Sequence, residues 1–131
     1  NIKTGELVFI NAGHESILTF DKDKNYDYIK SDMPPIGIIK YFTESMVKSN
    51  TINLKDKTFV VYTDGVTEGY LKNGEELGAE GVQNIINNIE NINPKNIVLG
   101  IEKELNWGAE KLRDDITCMA INIENTDLIK K

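Results

Sequence analysis

Asp64 stands directly after the apolar run 58–63, and Asp114 and Asp115 stand directly before the apolar run 116–123. If those runs are neighbouring antiparallel strands, the end of the first and the start of the second share one sheet edge, and the carboxylates converge. Acids gathered beside a dry core repel one another and resist ionisation unless a cation neutralises them. A hard divalent ion such as Mg²⁺ or Mn²⁺, held by a few carboxylates and several waters, meets that need. Ordinary turn chemistry accounts for the same residues: Asp-Gly commonly follows a strand, and Arg113 screens the two acids that come after it.

Five other features invite chemistry and have plainer readings. His14 is the sole histidine; it is either a loop acid–base group or a turn residue whose ring bonds the backbone. Arg113, the sole arginine, could clamp a phosphate with both arms of its fork or pair with Glu110, Asp114 or Asp115. Gly74, Gly78 and Gly81 lack the Gly-Lys-Ser/Thr ending of a phosphate-cradling loop and read as turns leading into a helix. Trp107 and Cys118 read as packing residues.

The elements that must position these groups fit one domain. A chain of 131 residues with 40% hydrophobic side chains can bury a core of its own. A net charge of −6 argues against a phosphate-tracking nucleic-acid surface. The single cysteine cannot form an internal disulfide, which favours a reducing, cytoplasmic setting. No apolar window is long enough to span a membrane, and no signal-peptide pattern opens the sequence.

Residues 6–10 and 16–20 read as a hairpin around NAGHE, 26–29 as a short strand, and 42–53 as a half-exposed strand. Residues 33–37, MPPIG, break regular structure. Residues 58–63 form the strongest strand. Val82, Ile85, Ile86 and Ile89 place one apolar stripe on a helix. Asn93 then Pro94 starts another, carried by Ile97, Val98, Ile101 and Leu105 as far as Gly108. Residues 116–123 are apolar on both parities, the pattern of a central strand. Strands first and helices grouped later predict an α+β fold, helices packed on a layered antiparallel sheet.

NAGH at 11–14, PPIGI at 34–38, FVVYTDGVTE at 59–68, GEELGAEG at 74–81 and DDITCMAI at 114–121 together resemble the C-terminal part of the metal-dependent, type 2C-like protein phosphatases. The resemblance is to their bacterial branch, that of stage II sporulation protein E and the stress-response phosphatases of sigma-factor switches. It implies part of an α-β-β-α sandwich, two Mn²⁺ or Mg²⁺ ions that activate water, and hydrolysis of phosphoserine or phosphothreonine in a protein. It further implies that Asp64 and Asp114 are metal ligands, that Asp115 orients water or its neighbour, and that Gly65 lets the chain turn beside the ion. His14 and Arg113 are possible supporting residues, although Glu15 and Ser16 follow the histidine where the family usually has prolines or apolar residues. The implied substrate is a small phosphorylated anti-sigma-factor antagonist.

The family's remaining ligands, an Asp-Gly pair among them, have no match in this sequence. The first residues, NIKTGELVFI, read as the turn and second arm of a hairpin whose first arm is missing. Residues 1–131 are therefore expected to be the C-terminal portion of one phosphatase domain, inactive in isolation. The strand 6–10 is expected to expose an apolar edge open to homodimer formation or strand swapping. Two rivals stand beside this reading. A non-catalytic interaction module keeps the fold without metal chemistry, and a turn-rich structural domain places Asp64 and Asp114 far apart.

Overall fold

The computed structural model describes residues 1–105 and 114–123. Trp107, Gly108, Glu110 and Arg113 lie outside them. The chain divides into two compact units, Asn1–Phe59 with Ile121–Lys131, and Val60–Ala120.

The first unit holds β1 (Glu6–Phe9), β2 (Ile17–Asp21), β3 (Tyr26–Ile29), β4 (Asn50–Asn53) and the first half of β5 (Lys57–Tyr62). β1 pairs antiparallel with β4, Glu6 opposite Asn53 and Phe9 opposite Asn50. β2 pairs antiparallel with β3, Ile17 opposite Ile29 and Phe20 opposite Tyr26, and neighbours β5 on its other side. The expected hairpin of 6–10 with 16–20 does not form. Its loop is diverted by buried Asn11, whose side chain accepts from the His14 N–H at 3.0 Å and donates to the Glu15 carbonyl at 3.1 Å. Ala12 then bridges to Met33 instead of continuing along β1. The strand expected at 6–10 thus has β4 as its partner and, among the described residues, one open edge, with Val8 59% and Ile10 50% exposed.

β2 is sealed on both faces. Ile17, Leu18, Thr19 and Phe20 are all buried, which removes about 1.5–3 kcal/mol worth of apolar surface from water for each large side chain. The price of its position falls on Thr19, whose hydroxyl is buried without a hydrogen-bond partner among the described residues. The turn into β3 is built by Asp21: one carboxylate oxygen accepts from the Asp23 and Asn25 N–H groups at 2.9 and 3.0 Å, and the other accepts from the Asn25 side chain at 2.8 Å. The strand predicted over 42–53 shrinks to β4. Ahead of it, Glu44–Met46 is a single 3₁₀ turn, beside which the Thr43 and Ser45 hydroxyls bond each other at 2.9 Å, the local competition that keeps such residues out of regular ladders.

The second unit holds the rest of β5, then α1 (Asp64–Thr67), α2 (Gly78–Asn87), α3 (Pro94–Leu105) and most of β6 (Cys118–Ile121). Val82 and Ile86 of α2 and Ile97, Ile101 and Leu105 of α3 are buried, the faces that the 3.6-residue spacing predicts. Asn93 caps α3 as its type suggests, its side-chain oxygen accepting from the Asn96 N–H at 2.9 Å. The short α1 is new: a single helical turn where the sequence suggested only a bend.

β6 departs from expectation in length and setting. It covers four residues, not eight, lies at the end of the strand order β3-β2-β5-β6, and leaves Met119 47% exposed. An apolar pattern on both parities marks what a strand can bury, and here β5 is its one strand neighbour among the described residues. No described helix is long and apolar enough to cross a membrane.

Candidate metal site at the end of β5

All the acids of interest fall inside the second unit, so their local geometry can be built from that unit alone. β5 ends at Tyr62, and Thr63 follows in extended conformation at the N-cap position of α1. A threonine there ordinarily turns its hydroxyl onto the helix it begins. Thr63 makes no such cap. Its hydroxyl donates to the Asp115 carbonyl at 3.0 Å and accepts from the Thr117 N–H at 3.0 Å, while its own N–H donates to the Thr117 carbonyl at 3.0 Å. The end of β5 is thereby fastened to the start of β6, as an antiparallel pair requires.

Asp64 follows as the first residue of α1. One of its carboxylate oxygens accepts from the Gly65 N–H at 2.9 Å, and the Thr67 hydroxyl donates to its carbonyl at 3.1 Å. Gly65 is buried, and a Cβ placed on it would lie 2.5 Å from the Asp115 carbonyl oxygen. Its φ is not in the left-handed region. The glycine is therefore needed for close approach of the Asp115 backbone, not for the sharp turn that the sequence suggested. On the facing segment, one Asp114 carboxylate oxygen accepts from the Asp115 N–H at 2.7 Å.

Asp64, Gly65, Asp114 and Asp115 are thus carried on two segments in direct backbone contact. The setting differs from the one foreseen: all three acids are exposed, so water, not a dry core, surrounds their carboxylates. His14 stands on the NAGHE loop of the other unit, exposed, with ring Nδ1 3.3 Å from the Glu15 carbonyl oxygen. That contact is the plain backbone-bonded role. Arg113 lies outside the described residues. Cys118 is half-buried, and burial pushes its thiol up to about 11, which keeps it protonated and unreactive near neutral pH.

The residues missed by sequence reasoning are Thr63 and Thr117. The available signal was a threonine immediately before an Asp-Gly pair, easily assigned to β5 or to a helix cap.

Exposed aspartate oxygens on two apposed segments suit a hard divalent ion. No group of three His, Cys, Asp or Glu side chains poised to hold a metal occurs among the described residues. Asp64 and Asp114 contribute one exposed carboxylate from each segment, donors of the chemical type that a hard divalent ion takes.

A family model described as stage II sporulation protein E matches residues 1–124. Among solved structures, the phosphatase domain of SpoIIE from Bacillus subtilis, presoaked with Mn, aligns with TM-score 0.66 and 20% identity over 96% of this chain and 54% of its own. The SiaA PP2C domain of Pseudomonas aeruginosa aligns with TM-score 0.68 and 18% identity, covering 93% and 48%. The RsbU and RsbW domains of a Mycobacterium tuberculosis protein align with TM-score 0.67 and 19% identity, covering 92% and 34%. A search of curated sequences returns no match. The fold is the α+β fold of PP2C-type phosphatase domains, and the chain spans about half or less of each of these solved chains.

Proposed function

We propose that this chain, which belongs to the stage II sporulation protein E family, is the C-terminal portion of a single metal-dependent protein serine/threonine phosphatase domain in which Asp64 and Asp114 are metal ligands. The observation that carries the reading is the junction itself. Two acid-bearing segments 52 residues apart are joined through the Thr63 hydroxyl and closed against each other at Gly65. A structural turn has no need to bring a second acidic loop to the same place.

Mn²⁺ or Mg²⁺, when bound, supplies an activated water and polarises the phosphoester oxygens. The contribution of this chain is to present the Asp64 and Asp114 carboxylates in fixed register, with Asp115 beside them to orient water or its neighbouring carboxylate. The substrate class is a phosphoserine or phosphothreonine on a small regulatory protein, of the anti-sigma-factor antagonist type, in a cytoplasmic setting. Two carboxylates are too few to fix two ions at the spacing that two-metal chemistry uses. The chain by itself is therefore catalytically silent and holds Mn²⁺ weakly.

The test is hydrolysis of a phosphoserine protein by the full-length protein with Mn²⁺, and again after EDTA. D64N and D114N are each expected to abolish the Mn²⁺-dependent turnover. Wild-type turnover in both variants overturns the ligand assignment, and turnover by residues 1–131 alone overturns the silent-fragment assignment. A full-length protein that binds the phosphoprotein without hydrolysing it is an interaction module instead.

A further inference from the structure

We propose that Thr63 is a positioning residue for the acidic pair, its hydroxyl setting the separation of the Asp64 and Asp114–Asp115 segments and through it the affinity for a divalent metal. The inference rests on the metal reading of those carboxylates given above. Thr63 occupies an N-cap position, where its type would satisfy an orphan N–H of α1. It forgoes that bond. The hydroxyl spends its proton on the Asp115 carbonyl and a lone pair on the Thr117 N–H, both at 3.0 Å. A single oxygen thus holds both sides of the Asp115–Thr117 stretch against the end of β5.

The second contact sets the other limit. Gly65 admits the Asp115 carbonyl to a distance that no side chain would permit. Glycine fixes how near the two segments come, and the hydroxyl keeps them from drifting apart. The Asp64 carboxylate is one residue from the hydroxyl, and Asp114 is one residue from the carbonyl that it grips. A change of a few tenths of an ångström at Thr63 therefore passes to both ligands through stiff backbone. Groups that orient metal ligands without touching the ion characteristically carry about 10- to 100-fold in affinity.

The experiment is Mn²⁺ titration calorimetry on the full-length protein, comparing wild type with T63V, T63S, D64N and D114N, each checked for folding by circular dichroism. T63V keeps the shape of the side chain and removes both hydrogen bonds; T63S keeps the hydroxyl. The junction is exposed, so water takes up the released Asp115 carbonyl and Thr117 N–H, and T63A serves as a second deletion of the hydroxyl if the valine methyl does not fit. T63V is expected to weaken Mn²⁺ binding about 10- to 100-fold, with T63S within about 3-fold of wild type. If T63V binds Mn²⁺ as wild type does while D64N and D114N bind weakly, the positioning role is overturned and the ligand reading stands. If T63V loses only thermal stability and its folded form keeps wild-type affinity, the role is structural and the inference is overturned. Wild-type binding in D64N and D114N overturns the ligand reading and the inference with it.

Discussion

At the NAGHE loop a serine hydroxyl bridges two stretches of backbone, and at the end of β5 a threonine hydroxyl does the same. Ser31 accepts from the Gly13 N–H at 2.6 Å and lies 3.0 Å from the Asn11 carbonyl and 2.6 Å from that of Met33. Each junction also has a glycine pressed by its neighbour: Gly13 by the Pro35 ring, Gly65 by the Asp115 carbonyl. The difference lies in what is left over. The NAGHE junction closes on itself, with Asn11 buried and the His14 ring turned to its neighbour's carbonyl. The β5 junction is fastened through backbone and one hydroxyl, and Asp64 and Asp114 remain exposed. Fixing a loop through backbone and one hydroxyl leaves its carboxylates open to solvent, as they are at the second junction.

The largest effect should come from closing the gap at the acidic junction. G65A sets a methyl against a backbone carbonyl that cannot rotate away, and should cost about 3 kcal/mol in urea denaturation, the upper end for overpacking. A loss below about 1 kcal/mol would mean the two segments part easily and that the junction gauges nothing. S31A is next. It removes the hydroxyl that receives the exposed Gly13 N–H and reaches the part-buried Asn11 and Met33 carbonyls, and should cost about 1 kcal/mol in the same measurement. Because the NAGHE junction holds no proposed ligand, S31A should leave Mn²⁺ affinity unchanged; a fall in affinity would erase the contrast between the two junctions.

T19V has the opposite sign. It removes a buried hydroxyl that has no partner among the described residues while keeping the β-branched shape, and should stabilise by about 1 kcal/mol. Destabilisation would show that the hydroxyl is satisfied. The smallest effect belongs to the exposed β2–β3 turn. Hydrogen bonding from Asn25 lowers the pKa of Asp21 below its ordinary value of 3.8. A folded-state pKa below the unfolded one means that the stability is present above the unfolded value and is lost as pH falls through the folded one. N25A should therefore lower the midpoint of thermal unfolding slightly at pH 7 and not at all once pH has fallen below both values. An equal loss at both pH values would trace the effect to backbone, not to the carboxylate.

Helix content was legible because it depends on local signals. Asn93-Pro94 fixes a start by cap and ring geometry, and Val82, Ile86, Ile97 and Ile101 fix the buried faces by period. Strand pairing was less so, because partners are chosen across the chain. The run 6–10 was assigned to its nearest neighbour in sequence and in fact pairs with β4, since Asn11 and Ser31 direct the loop elsewhere. Residues 116–123 read as a central strand, whereas the strands that bury residues on both faces are β2 and β5. The candidate site was legible as residue types at strand ends. Its fastening was not, because a threonine that ignores its own helix to bond a carbonyl 52 residues away leaves no periodic trace.

Gly65 has a consequence for reading tolerance to mutation. Its neighbour on the facing segment leaves no room for a side chain unless the backbone shifts, so a library randomised there and selected only for folded protein should be strongly enriched in glycine. Under the metal reading proposed above, selection for metal binding should return aspartate at residue 64. The two adjacent positions would then look alike in a combined screen, the first restricted by the room available at Gly65 and the second by the charge that the proposed ligand role requires. Separating the selections assigns each restriction to its cause.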